Sequence, residues 1–259
     1  MMSSDPANGP TGSADEVTVH ILDDVHYVGP VTDLPDPPPN LPYSDYDDWF
    51  CRELLVANGI EPDETGIAAA FRSEQGLLLA AAAHSAYPFP RLVPLLGQVA
   101  EGGDDDAAVE AAYAMARQGH GAARGMLREA LGRPLGPYLS PVRAAGMLAR
   151  LGDLSGEPVV RAGLRSELLS VRMLSCKQLY HFAPGVGREG GLPEDDWAGL
   201  ASTALADDEP TVQREILLQM RSLSLSPAAV DLVRSYLNSV EEPTLAARAR
   251  EIVEKHAGS

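Results

Sequence analysis

Residues 208–216 read DEPTVQREI and residues 241–249 read EEPTLAARA, the same grammar 33 residues apart. Proline is tolerated in the first turn of a helix, where its missing N–H has no partner to lose. Acidic residues just ahead of it favour the positive end of the helix dipole. Both stretches therefore read as helix starts, and Ser140-Pro141, Glu157-Pro158 and Ser226-Pro227 follow suit. Pro141 and Pro158, Pro210 and Pro227, and Pro227 and Pro243 are 16 or 17 residues apart. A helix thus begins every half period, and the repeating unit is a pair of helices.

The second helix of each pair can be followed by its first branched apolar residue: Leu78, Val109, Val142, Val171, Val212 and Leu245. Their intervals are 31, 33, 29, 41 and 33 residues. Shorter amphipathic stretches fall between them, such as LVPLLGQVA, ARGMLREAL and AAVDLVRSYL. A helix pair of this size cannot bury its apolar face alone, whereas stacked copies share a continuous core. The expected fold is all-α, an α-solenoid of about five to six helix pairs spanning 44–259.

PVRAAGMLARLGD followed by EPVVRAGL, and ALADDEPTVQREIL, resemble the HEAT-repeat family, especially its short bacterial repeats. The shared pattern is an acidic turn, then Val-Arg, small residues and Leu, over roughly 74–256. The resemblance implies the fold; the family hosts adaptors, scaffolds, lyases and base-excision enzymes, so it implies no single function. It also implies that Arg143 and Arg172 brace neighbouring turns, a ladder left incomplete where Gln213 and Ala246 replace the arginine.

The 41-residue interval comes from an insertion at 184–196, PGVGREGGLPEDD. Gly185, Gly187 and Gly190 spell G-x-G-x-x-G, but a dinucleotide site needs a strand before it and a helix directly after it. Here CKQLYHFA precedes and Leu192-Pro193 intervenes, so the stretch reads as an inter-repeat loop.

Residues 1–43 form an acidic, Pro-rich arm. Residues 1–51 hold ten Asp/Glu, no Lys or Arg, and eight prolines, which favours an extended, solvated chain. Inside it EVTVHILDDVHYVG (16–29) alternates about Asp-Asp as a β-hairpin does. Ser44 or Asp45 is placed to cap a first helix, YDDWFCRELLVANG, ending at Asn58-Gly59.

The chain carries a net charge of −17, distributed unevenly. Residues 1–51 carry −10, 52–116 carry −7, 117–188 carry +7 and 189–259 carry −7. The overall balance argues against nucleic acid and anionic membranes. The longest apolar run, Leu77 to Ala83, is too short to span a bilayer. Cys51 and Cys176 lack any framework spacing and read as free thiols, which with an N-terminus unlike a secretory signal suggests the cytoplasm. Eighteen Arg against two Lys, with an Ala/Gly bias, suggests a GC-rich bacterial genome.

The central arginines read either as solvated outer-face charge or as a basic band for an acidic partner. In the second reading Arg117, Arg150 and Lys177 line the solenoid with Tyr113 and Tyr180 one turn away, and the acidic arm can fold back onto them. No catalytic, metal or cofactor set emerges. His20, Asp23, Asp24 and His26 suggest a metal cluster, but a two-residue hairpin places His20 opposite Tyr27 and His26 with Ile21. Cys176 and His181, five residues apart on a helix, point apart. His84 reads as a packed core histidine, and His120 lies between glycines at a helix end. The leading functional expectation is a non-enzymatic adaptor or scaffold holding a protein or peptide. The alternatives are an immunity-type inhibitor of a basic toxin or enzyme, and a nucleic-acid binder or DNA-glycosylase-like enzyme using Trp197 beside Asp195 and Asp196.

Overall fold

The computed structural model describes residues 19–22, 25–28, 34–35, 37–38, 40–73, 75–102, 105–135, 139–186 and 190–257. A short hairpin pairs β1 (Val19–Leu22) antiparallel with β2 (Val25–Val28), in the register His20 with Tyr27 and Ile21 with His26. Asp23 and Asp24 lie outside the described residues. Among the described residues, everything after 45 is helix and connection.

The helices are α1 (Tyr46–Ala57), α2 (Glu64–Ala70), α3 (Gly76–Ser85), α4 (Val93–Gly102), α5 (Asp105–Arg117), α6 (Gly121–Leu131) and α7 (Ser140–Arg150). They continue as α8 (Glu157–Gly163), α9 (Leu169–Leu179), α10 (Glu194–Leu205), α11 (Pro210–Ser222), α12 (Pro227–Leu237) and α13 (Pro243–Ala257). Prolines 141, 158, 210, 227 and 243 all occupy first turns, as their local chemistry requires. Ser226 accepts from Ala229 N–H, and Glu242 accepts from Leu245 N–H at 2.6 Å, so side chains cap two of these starts.

Six pairs result: α2 with α3, α4 with α5, and so on to α12 with α13. The six branched residues that mark the period all fall on the odd-numbered members. Those odd helices also pack in series, α3 on α5, α5 on α7, α7 on α9, α9 on α11 and α11 on α13. The α-solenoid expected from the repeat is the architecture observed. Buried side chains run along it: a small-residue cluster from α1 to α5, a middle cluster from α5 to α7, and a large aliphatic cluster from α7 to α13.

Of the stretch 184–196 read as a loop, the described residues before 194 are connection, and Glu194 to Asp196 instead form the first turn of α10. Gly185 N–H donates to Gly190 O at 2.9 Å and Leu192 N–H to Phe182 O at 2.8 Å. Gly191 sits at φ +76, where a side chain would also strike the Ala183 carbonyl, so glycine is required there. A 3-10 turn precedes this loop (Tyr180–Phe182), and Gly187 lies outside the described residues.

One helix stands outside the pairing. α1 packs along α3 through Leu54 and Leu55, both buried, and Gly59 at φ +73 ends it as Asn58-Gly59 suggests. Neither Ser44 nor Asp45 caps it by a side-chain bond; the Ser44 hydroxyl donates to Asp45 instead.

Candidate functional site

Asp47 and Asp48 open α1, where acidic residues suit the helix dipole. Adjacent residues point about 100° apart on a helix, so the two carboxylates reach different neighbours. Asp47 accepts from Lys177 Nζ at 2.9 Å and from Arg150 Nη1 at 3.3 Å. Asp48 accepts from Arg117 Nη1 at 3.2 Å and from His84 Nε2 at 2.6 Å, with Arg150 Nη2 at 3.8 Å. Arg117, Arg150 and Lys177 come from α5, α7 and α9, three successive helices of the odd row. The charged start of α1 therefore lies across the basic band.

The seam continues inward. His84 is 2% exposed, and its Nδ1 donates to Glu110 Oε2 at 2.7 Å. Glu110, itself buried, also meets Arg143 Nη1 at 3.4 Å. Burial alone would favour neutral imidazole; the Glu110 charge and the bonds to Asp48 and Glu110 outweigh it and raise His84 to about 9. Both ring nitrogens then donate. Burial would raise Asp48, yet the bond and charge of His84 with Arg117 and Arg150 hold it at about 2. Asp47, likewise opposed by burial, is pressed far below the carboxylate range by Lys177 and Arg150.

Aromatic rings flank the cations. The Arg117 guanidinium lies 3.3 Å over the Tyr87 ring and 5.5 Å from the Tyr113 ring, and that of Arg150 lies 5.2 Å from Tyr113. Tyr113 is buried, so it is a wall of the seam and not an exposed contact residue. The Tyr180 ring packs at a tilt against that of Tyr43, the last residue of the arm, with centroids 4.5 Å apart. The Tyr43 hydroxyl donates to buried Glu215, and Gln219 Nε2 donates to Tyr43 Oη at 3.2 Å. Tyr43, Asp47 and Asp48 thus tie one short stretch to helices from α3 to α11.

The five residues expected to line an open surface, Arg117, Arg150, Lys177, Tyr113 and Tyr180, are brought together by the fold. The face they form is covered by the chain's own α1. Sequence reasoning missed Asp47, Asp48, His84 and Glu110 as members of the site. The available signal was the opposition between the acidic first 51 residues and the basic 117–188 segment.

The other candidates resolve into packing. Cys176 is buried with its thiol raised by desolvation, and its Sγ faces Val212 O at 3.6 Å. His181 is buried too; desolvation, then Arg150, lower it to about 3. Trp197 is 2% exposed and its Nε1 donates to Leu179 O at 3.1 Å, so it anchors the core and offers no face to a nucleic-acid base. Arg172 braces a turn as the repeat pattern implies, donating to Asp207 Oδ2 at 2.8 Å. Gln213 reaches the Asp207 carbonyl and supports that turn where arginine is missing. No helix among the described residues is long and apolar enough to cross a membrane.

No protein-family model and no curated protein matches the chain. A solved structure it resembles is that of human deoxyhypusine hydroxylase in complex with glycerol, at 15% identity and a TM-score of 0.39, over 84% of this chain and 83% of that one. That neighbour is an enzyme, which corrects two expectations: that the chain is a non-enzymatic adaptor or scaffold, and that it is no enzyme. Stacked helix pairs do not imply a binding-only role. At that identity and TM-score the likeness assigns no activity or site to this chain. The inhibitor and glycosylase alternatives gain nothing from it either, and the burial of Trp197 removes the residue on which the latter rested.

Proposed function

We propose that this protein is a cytoplasmic, HEAT-like solenoid that recognises an anionic ligand at Arg117, Arg150 and Lys177, with α1 supplying an internal stand-in for it. The observation that carries the reading is the convergence of three cations, from three successive helices, on two adjacent carboxylates. Guanidinium and ammonium groups so arranged hold any oxyanion by charge-assisted bonds. Asp47 and Asp48 remain about one-third exposed on their side chains, so solvent and solutes reach the contact from one side. Phosphate and carboxylate groups are the chemistry that these donors fit. His84, protonated and donating, adds a fourth positive charge beneath them.

The test removes the stand-in. In the full-length Asp47→Ala/Asp48→Ala variant, inorganic phosphate is expected to raise the melting temperature saturably and to give a calorimetric binding isotherm. Adding Arg150→Ala should abolish both responses. If phosphate affects the folded double variant no more than it affects the wild type, the reading is wrong.

A further inference from the structure

The basic band is a two-lobed receptor, and we infer that its ligand is a two-headed acid, such as a dicarboxylate or a pyrophosphate-like group. This rests on the anion-binding reading above and names the ligand class for the same site. One lobe is Lys177 with Arg150, which together hold Asp47. The other is Arg117 with His84, which together hold Asp48. Arg150 stands between them, with Nη1 on Asp47 and Nη2 3.8 Å from Asp48.

A planar guanidinium with its donors in a fixed fork suits a bridging role that a lysine cannot take. The two lobes are also built differently. The Arg117 lobe is backed by buried, charged side chains, His84 and Glu110, and by the Tyr87 ring. The Lys177 lobe has the Tyr46 ring at 5.1 Å from its ammonium. A single-headed anion satisfies one lobe and leaves the other without the acid group that its aspartate supplies. A ligand with two acid groups satisfies both at once, and its second contact is intramolecular, which multiplies affinity without further ordering. The stand-in has this form: two carboxylates on adjacent residues, their Cα atoms about 3.8 Å apart.

The experiment compares probes at constant ionic strength, so that screening is the same for each. Acetate and inorganic phosphate carry one head; succinate, glutarate and pyrophosphate carry two. Inorganic phosphate controls for charge, since it is nearly doubly charged on one head. On the folded Asp47→Ala/Asp48→Ala variant, the two-headed probes should bind at least about tenfold more tightly than either single-headed probe. Adding Lys177→Gln should bring succinate down to the level of acetate. Equal affinities for one- and two-headed probes overturn this inference and leave the anion-binding reading standing. Saturable binding of none of them overturns both. If the double variant does not fold, hydrogen exchange in the wild type carries the same test. Succinate, and not acetate, should then speed exchange of the amides of residues 46–51; equal rates with the two probes overturn the inference.

Discussion

The first and second halves of the solenoid are held together by different means. From α9 to α13 the interior is aliphatic and aromatic: Leu179, Phe182, Trp197, Leu200, Ile216, Leu217, Met220, Val233 and Ile252 are all buried. From α1 to α5 half of the buried apolar residues are alanines, among them Ala81, Ala82, Ala83, Ala107, Ala111 and Ala114. Alanine brings helices close but removes little apolar area from water, and hydrophobic stabilisation scales with that area at about 25 cal/mol per Å². The first half compensates with Asp47, Asp48, His84, Glu110, Arg117, Arg143 and Arg150. Apolar packing tolerates a shifted neighbour; a buried charge without its partner does not. The same feature that makes the first half specific makes it sensitive to pH and to competing anions.

The sharpest break in this comparison is His84→Ala. It leaves Glu110 buried with only Arg143 opposite, and removal of one partner from a buried pair costs about 3–5 kcal/mol. In the second half Ile216→Ala empties space among packed side chains, for about 2–5 kcal/mol. Urea unfolding monitored by helical signal measures both. The costs are similar in size, yet only the loss in His84→Ala should change with pH between 6.5 and 9. If Ile216→Ala shows the same pH dependence, the two halves do not differ in kind.

The pH dependence of the wild type is the next largest effect. His84 titrates near 9 in the fold against 6.5 when unfolded, so its contribution is complete below 6.5 and disappears as pH rises through 9. The groups facing it are Asp48 from α1, Glu110 from α5 and, at longer range, Arg150 from α7. His181, lowered to about 3, acts oppositely: its neutral form is the folded one, so stability falls as pH drops from 6.5 towards 3. Asp48 adds a loss only as pH falls from 3.8 through about 2. Stability should therefore peak near pH 6.5, with an alkaline loss on the order of 3 kcal/mol by pH 9. A flat profile from 6.5 to 9 would show that His84 is neutral in the fold.

Much of the architecture was legible because its signals are local. Pro210 and Pro243 fix their helix starts through neighbouring residues alone, and Val142 or Val212 reports its burial through spacing. Asn58-Gly59 likewise ends α1 by backbone chemistry. The charged seam was not legible, because its bonds join positions 103 and 130 residues apart, Asp47 to Arg150 and Asp47 to Lys177. A local reading of DD at 47–48 sees a helix start and stops there. His84 shows the same limit: its alanine-rich surroundings suggest a packed histidine, and it is packed, but two distant carboxylates decide its charge. Charge segregation along the chain was the one long-range property visible, and it pointed to the right segment without naming the acids.

The smallest effect concerns the junction of the two halves. Gly156, in the turn before α8, has an ordinary φ of −81, so backbone freedom does not require glycine there. Space does: a Cβ would lie 2.5 Å from the Ala145 Cα and 2.6 Å from its Cβ. Backbone atoms cannot yield as a side chain can, so α8 must move off α7, at about 1–3 kcal/mol. Gly146 offers the contrast. Its added methyl would meet the Gln178 side chain, Oε1 at 1.7 Å, Cδ at 2.5 Å and Cγ at 2.9 Å, and a side chain can change rotamer where a backbone cannot. Gly156→Ala should therefore lower stability more than Gly146→Ala. It should also separate the transitions of the two halves, read in thermal unfolding as a first step that depends on pH between 6.5 and 9 and a second that does not. Equal costs for the two variants, with one shared transition, would mean that the contact of α7 with α8 does not couple the charged half to the aliphatic one.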